Sequence, residues 1–423
     1  MITSRFALRA LAIPTAFLAL SVVACGGSDD SAGSGGQGGS AAGASGGSGG
    51  SGASSGGSGG SSSGGSSGSG ATAGGGGSSG TAGSGGSGGA AGSGGAAGFG
   101  GAAGSAGAGG VSSCTLTDSG PVTVSQDGQV VEKLRITSNG GAAITVDGHS
   151  GVTIRDVEIL HDGGPGIAFS NATNLLIERV HVVHTGAPAV GENPSDDRVN
   201  VSGYGSTGVV IRHVKLERGS SGIYLVESPG AKLSFIEGHD FRGPFPRGQL
   251  VQFDKSSDGV LEDFSCINPP DSSWPEDNVS VYRSSNVTVR RGLLSGNNSP
   301  SGVGVMFELS DGTSSGGLAE DVDTVDQGNG SFSGYPAKDV VFRRTRARDN
   351  HCVGQAGRDA PLSNALVWAG SPDSSNLTLE DSRYFGLCNP GNTVWDQSVF
   401  TKVDIQEEDF TPRAPIVETF CWE

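Results

Sequence analysis

The stretch Ile223-Tyr-Leu-Val, Val251-Gln-Phe-Asp and Val279-Ser-Val-Tyr decides the fold. Each tetrad alternates apolar and other residues, so one face of a short strand is buried. Working outward, the same phase reads Ile144-Thr-Val-Asp, Ile167-Ala-Phe-Ser, Val199-Asn-Val-Ser and Val305-Met-Phe-Glu. The intervals along this series are 23, 32, 24, 28, 28 and 26 residues. Constant strands at variable spacing mean a repeated coil with variable loops. A second strand follows each first one after a tight turn: Gly151-Val-Thr-Ile, Leu175-Leu-Ile-Glu, Val209-Val-Ile-Arg, Gly259-Val-Leu-Glu, Asn286-Val-Thr-Val, Asp339-Val-Val-Phe and Asn376-Leu-Thr-Leu. Strands in phase with no helical pattern between them predict an all-β solenoid rather than a sandwich. Gly120 to Ala142 reads as its start, and Ile405 to Glu423, with Phe410, Phe420 and Trp422, as its C-terminal cap.

The rest of the chain is of another kind. Residues 26–112 are almost only Gly, Ser and Ala. Such a segment has too little apolar surface to offset the entropy of ordering its backbone. As a flexible coil it spans roughly 50 Å root-mean-square. Before it, Arg5 and Arg9 lead into an apolar run from Ala10 to Val23. That run is short and broken by Pro14 and Ser21, the order of a secretory signal. It ends in Val22-Val23-Ala24-Cys25, which resembles a bacterial lipobox and implies lipidation at Cys25. Gly26, where Asp would mark inner-membrane retention, points to the outer membrane, on its outer or periplasmic face. The reading is therefore a signal over 1–24, a lipidated Cys and tether over 25–112, and a folded domain over 113–423.

The net charge of −17 falls on the folded part, since Arg5 and Arg9 cancel Asp29 and Asp30. An acidic domain excludes nucleic acid as a partner and electrostatic docking on anionic lipid, so the expected membrane contact is the lipid anchor alone. A monomer is expected. With Cys25 assigned to lipid, Cys114, Cys266, Cys352, Cys388 and Cys421 remain. An odd number leaves at least one thiol unpaired within the chain, with Cys266 the buried candidate. Cys352–Cys388 or Cys388–Cys421 is the expected bridge. No Cys-x-x-Cys or His-x-x-x-His spacing argues for a metal, and the sequence requires no cofactor, with Ca²⁺ left open.

The repeat resembles the right-handed parallel β-helix proteins of the pectate-lyase-like superfamily over nearly all of residues 120–400. The residues that carry the resemblance are the glycine before the first strand, as in Gly166-Ile-Ala-Phe and Gly222-Ile-Tyr-Leu, and the turn at Ser285-Asn286. It implies action on polysaccharides by binding, cleavage or epimerisation, although fold alone does not assign activity. The Asp-Pro-His signature of mannuronan epimerases and the Gly-His-Gly of polygalacturonases are not in the sequence.

Residues in one phase of successive coils lie about 4.8 Å apart. The outward positions give one column of Tyr224, Gln252, Ser280 and Met306 and another of Val226, Asp254, Tyr282 and Glu308; the next residues are Glu227, Lys255, Arg283 and Leu309. Long loops carrying His239, Asp240 and Arg247, or Trp274, Glu276 and Asp277, flank this strip. For a lyase, Lys255 or Tyr282 is the candidate base and Arg283 the partner of a substrate carboxylate. For glycoside hydrolysis, Asp254 and Glu308 are the candidate pair. Glu227, Arg247, Gln252, Trp274 and Asp277 are the candidate substrate-binding residues. A salt-bridge ladder is the structural alternative, and it is the expectation for Arg155, Glu178, Arg212, Glu262, Arg290, Arg343 and Glu380. His149, His161, His181, His184 and His213 are expected on loops or the surface. The leading function is a surface-anchored carbohydrate-active protein, lyase-like if catalytic. A non-catalytic glycan-binding protein or adhesin is the alternative, and a structural spacer the third reading.

Overall fold

The computed structural model describes residues 114–187, 198–243, 247–269, 275–297, 302–350, 365–388, 391 and 393–423. They form a right-handed parallel β-helix of two sheets, one of thirteen strands and one of ten. Successive strands of each sheet pair in parallel, one coil to the next. No α-helix occurs among the described residues.

One coil shows how the sequence does this. Ile223–Val226 is a four-residue strand of the ten-stranded sheet, with Ile223 and Leu225 buried inside. Glu227 then takes a left-handed conformation (φ 50°) and turns the chain. A second left-handed residue, Gly230, leads into Lys232–His239 of the thirteen-stranded sheet. That strand is itself bent at Phe235 (φ 55°). Its first half buries Leu233 and its second half Ile236 and Gly238. The bend recurs at Asp156, Arg179, His213, Asp263 and Arg291. The side chains inside form one continuous core along the solenoid.

The corner after the short strands carries its own hydrogen-bond ladder. Ser206 N–H donates to Ser228 Oγ, Ser228 N–H to Ser256 Oγ and Ser256 N–H to Ser284 Oγ, at 3.2, 2.9 and 2.8 Å. Each hydroxyl also donates to the carbonyl two residues earlier. All four serines are buried, and the ladder satisfies backbone groups that the turn removes from the sheets.

One strand is displaced from its expected register. Ile167 pairs with Val201, not Val199, so the fourth tetrad is Val201-Ser-Gly-Tyr. The third position is Gly203, because the Phe169 ring of the previous coil fills its place: a Cβ there would lie 2.2 Å from Phe169 Cζ. The apolar alternation used to set the phase therefore fails at this coil.

The C-terminal end runs differently from a terminal cap. Phe400–Glu407 is a strand of the last coil. The following residues return along the outside of the thirteen-stranded sheet. Arg348 holds Asp409 and the Phe410 carbonyl, Arg413 N–H donates to Asp323, Ile416 N–H to Ser265 Oγ and Glu418 N–H to Glu237. Phe420 stacks on His181, and Cys421 is bonded to Cys114. Of the two expected bridges, Cys388–Cys421 gives way to Cys114–Cys421; Cys388 is in a disulfide, Cys352 of the other expected bridge lies outside the described residues, and Cys266 is the buried free thiol.

Candidate functional site

Backbone register alone builds the strip. Val226, Asp254, Tyr282 and Glu308 are successive partners in the ten-stranded sheet, as are Tyr224, Gln252, Ser280 and Met306. Glu227, Lys255 and Arg283 follow them, all left-handed (φ 48–50°), and their N–H groups donate to the carbonyls of Asp254, Tyr282 and Glu308. A non-glycine residue with positive φ is uncommon, and here three are stacked.

The side chains separate into an exposed and a buried set. Lys255 Nζ lies 3.4 Å from Glu227 Oε1, both nearly half exposed, which is a weak surface pair. Asp254 is 4% exposed, and Arg283 Nη2 donates to both its oxygens at 2.9 and 3.1 Å. The same guanidinium lies over the Tyr282 ring, 4.2 Å from its centre. Burial pushes the Asp254 carboxyl up while Arg283 holds it down.

Loop residues complete the buried set. Glu276 N–H donates to the Arg247 carbonyl at 2.8 Å, and Asn297 Nδ2 donates to the Glu276 carbonyl at 3.0 Å. These bonds seat Glu276 near Glu308. Burial pushes Glu308 up to about 7, with Arg283 opposing and the Asp254 carboxylate adding. Burial first, then Glu308, pushes Glu276 up to about 7, against the pull of Arg247. Asp277 is buried, accepts from Val303 N–H at 3.1 Å and is raised by burial and by its two acidic neighbours. The Arg247 guanidinium lies over the Tyr224 ring, 5.5 Å from its centre. Carboxyls that titrate near neutrality can give or take a proton at working pH.

The structure therefore gathers Asp254, Tyr282, Arg283 and Glu308 with Asp277 and Arg247, and leaves Lys255 and Glu227 on the exposed edge. Gln252 is half-buried between Tyr224 and Ser280. Trp274 lies outside the described residues. Glu276 is a central member that phase analysis could not single out, because its place depends on a loop rather than on the repeat. Among the described residues no set of three or more His, Cys, Asp or Glu side chains is arranged to hold a metal ion.

The expected ladder is present on the thirteen-stranded sheet, with Arg155–Glu132, Arg212–Glu178, Arg290–Glu262 and Arg343–Glu380 pairs. Two histidines depart from their expected surface position. His161 and His184 are buried and stacked, 5.0 Å between ring centres. His161 bonds the Gly164 carbonyl through Nδ1 and accepts from Asn200 Nδ2, and burial pulls its pKa down to about 4.

No family model matches the chain, and no curated protein is similar to it in sequence. Solved structures are similar to part of it. A Paenibacillus alginate lyase is 12% identical, covers 59% of this chain and 88% of its own, and has a TM-score of 0.37. An Erwinia carotovora polygalacturonase is 12% identical over 70% of this chain and 87% of its own, with a TM-score of 0.40. The A-module of an Azotobacter vinelandii mannuronan C-5 epimerase is 12% identical over 69% of this chain and 85% of its own, also at 0.40.

Proposed function

We propose that this chain is a carbohydrate-active β-helix protein that hydrolyses an extracellular polysaccharide laid along the outward face of its ten-stranded sheet. The observation that carries the reading is the unequal pair of buried carboxyls, Asp254 bound to Arg283 and Glu308 raised to about 7. Two carboxyls whose surroundings differ in this way divide the roles of base and acid. Glu308 gives its proton to the leaving glycosidic oxygen, and Asp254 takes one from the attacking water, so water adds across the broken C–O bond. Two coils separate their backbones by about 10 Å, a loose fit to the about 6.5–9.5 Å between the carboxyls of an inverting pair.

The test is a glycan panel scored for new reducing ends and, separately, for the ultraviolet absorbance of an unsaturated lyase product. Glu308→Gln should lose about 10²- to 10⁴-fold in cleavage rate while still binding. Unsaturated product would replace hydrolysis by elimination. Binding with no turnover on any glycan would leave the non-catalytic binding reading in its place.

The site is proposed to work at the cell surface of the outer membrane, anchored by lipid on Cys25. Incorporation of labelled fatty acid that is lost in Cys25→Ala, with release to the soluble fraction, is the expected result. A wild-type protein without label would refute the anchor.

A further inference from the structure

Beyond Glu308 the same face changes character. Tyr335 N–H donates to the Phe307 carbonyl and Leu309 N–H to that of Pro336, which sets Tyr335 one coil past Glu308 in the same outward column. In the neighbouring column Met306 pairs with Ser333, and Ser333 with Trp368. Val367 bridges Val394 and accepts from Trp395 N–H, so Trp395 occupies the next coil at the position of Trp368. Three aromatic side chains thus continue the carboxyl strip.

Their setting is built rather than incidental. Tyr335 is 42% exposed, and its ring centre lies 5.3 Å from that of Trp368. Gly330 backs the indole, because a Cβ there would come within 2.8 Å of Trp368 Cδ1. Both indole Nε1 atoms, and Ser333 Oγ beside them, are buried with no hydrogen-bond partner among the described residues.

Charge then narrows the ligand. The cations along the strip already face carboxyls: Lys255 meets Glu227, Arg283 meets Asp254, and Arg247 acts on Glu276. The chain carries a net charge of −17. A polyuronate would bring its carboxylates against Asp254, Glu276, Asp277 and Glu308.

We infer that Tyr335, Trp368 and Trp395 form a sugar-stacking platform on one side of the carboxyl pair, and that it takes an uncharged polysaccharide. Pyranose rings offer flat apolar faces to such aromatic rings. The inference rests on the proposed placement of glycan on this face, but not on cleavage.

Affinity electrophoresis through gels containing xylan, galactomannan or mixed-linkage β-glucan, and in parallel alginate or polygalacturonate, tests it. Wild type should be retarded by at least one neutral polymer. Tyr335→Ala and Trp368→Ala should bind that polymer about tenfold or more weakly, and Trp368→Phe should keep most binding. Tyr335 is exposed enough for its loss to leave the fold intact, so a misfolded Trp368→Ala does not spoil the test. Unchanged retardation of Tyr335→Ala and Trp368→Phe/Tyr335→Ala would overturn the platform. Retardation by polyuronates alone would overturn the uncharged class. No retardation by any polymer would overturn both the platform and the glycan reading. Aromatic-dependent binding without cleavage would sink hydrolysis and leave the platform standing.

Discussion

Glu308 and His161 act on stability in opposite senses across the same pH range. Unfolded, a Glu carboxyl ionises near 4.5, while in the folded chain Glu308 keeps its proton up to about 7. Between those values the folded state binds the extra proton, so stability falls as pH rises. His161 does the reverse: its imidazole stays neutral in the fold down to about 4 but takes a proton below about 6.5 when unfolded. Stability from this group rises with pH across that interval and is lost as pH falls through it. Glu308→Gln removes the first contribution and leaves the second. Urea unfolding from pH 4.5 to 7.5 should show the variant gaining on wild type by roughly 2–3 kcal/mol as pH rises. Hydrolytic activity, which needs the protonated acid, should decline in wild type as pH passes about 7. Parallel stability curves for the two proteins would mean that Glu308 ionises as an ordinary surface carboxyl.

At the level of elements, the alternation of apolar residues located the short strands because only one face of each is buried. Ile144, Ile167, Ile223, Val251, Val279 and Val305 all stand where the periodicity puts them. The coil at Val201 escaped that reading because packing volume, supplied elsewhere by a residue's own side chain, comes at Gly203 from Phe169 of the adjacent coil. The long strands were only half legible. A left-handed residue at Phe235, Asp263 or Arg291 shifts the alternation by one; Asp is enriched in that conformation, but Phe and Arg give no sign of a bend. For the site, the columns through Asp254, Tyr282 and Glu308 follow directly from register, whereas burial does not. Glu276 and Asp277 reach the strip through loop bonds to Arg247 and Val303, and these depend on loop length rather than on repeat phase. The platform residues were missed for a related reason: Trp368 lies two coils beyond Met306 but 62 residues further along the sequence.

For the whole molecule, the returning C-terminal segment changes what holds the solenoid together. A coil in such a repeat contacts only its neighbours, so the ends fray most easily. Here the segment crosses the coils of Arg348, Asp323, Ser265, Glu237 and His181, and Cys421 closes it onto Cys114. It also explains why Glu237, Ser265 and Asp323 are buried although they point away from the core. Terminal unfolding must therefore either break the disulfide or peel the segment from every coil it spans. The bridge joins residues 307 positions apart, and loops of that length gain the most from closure. Cys114→Ser/Cys421→Ser should cost about 2–5 kcal/mol in denaturant unfolding. Hydrogen exchange should rise first in residues 409–423 and in the coils that they cover. Because the segment lies on the thirteen-stranded sheet, binding at the carboxyl strip and the aromatic platform should persist in the variant under native conditions. An unchanged denaturation midpoint, with exchange as slow as in wild type, would show that the hydrogen bonds and ring stacking hold the segment without the bridge.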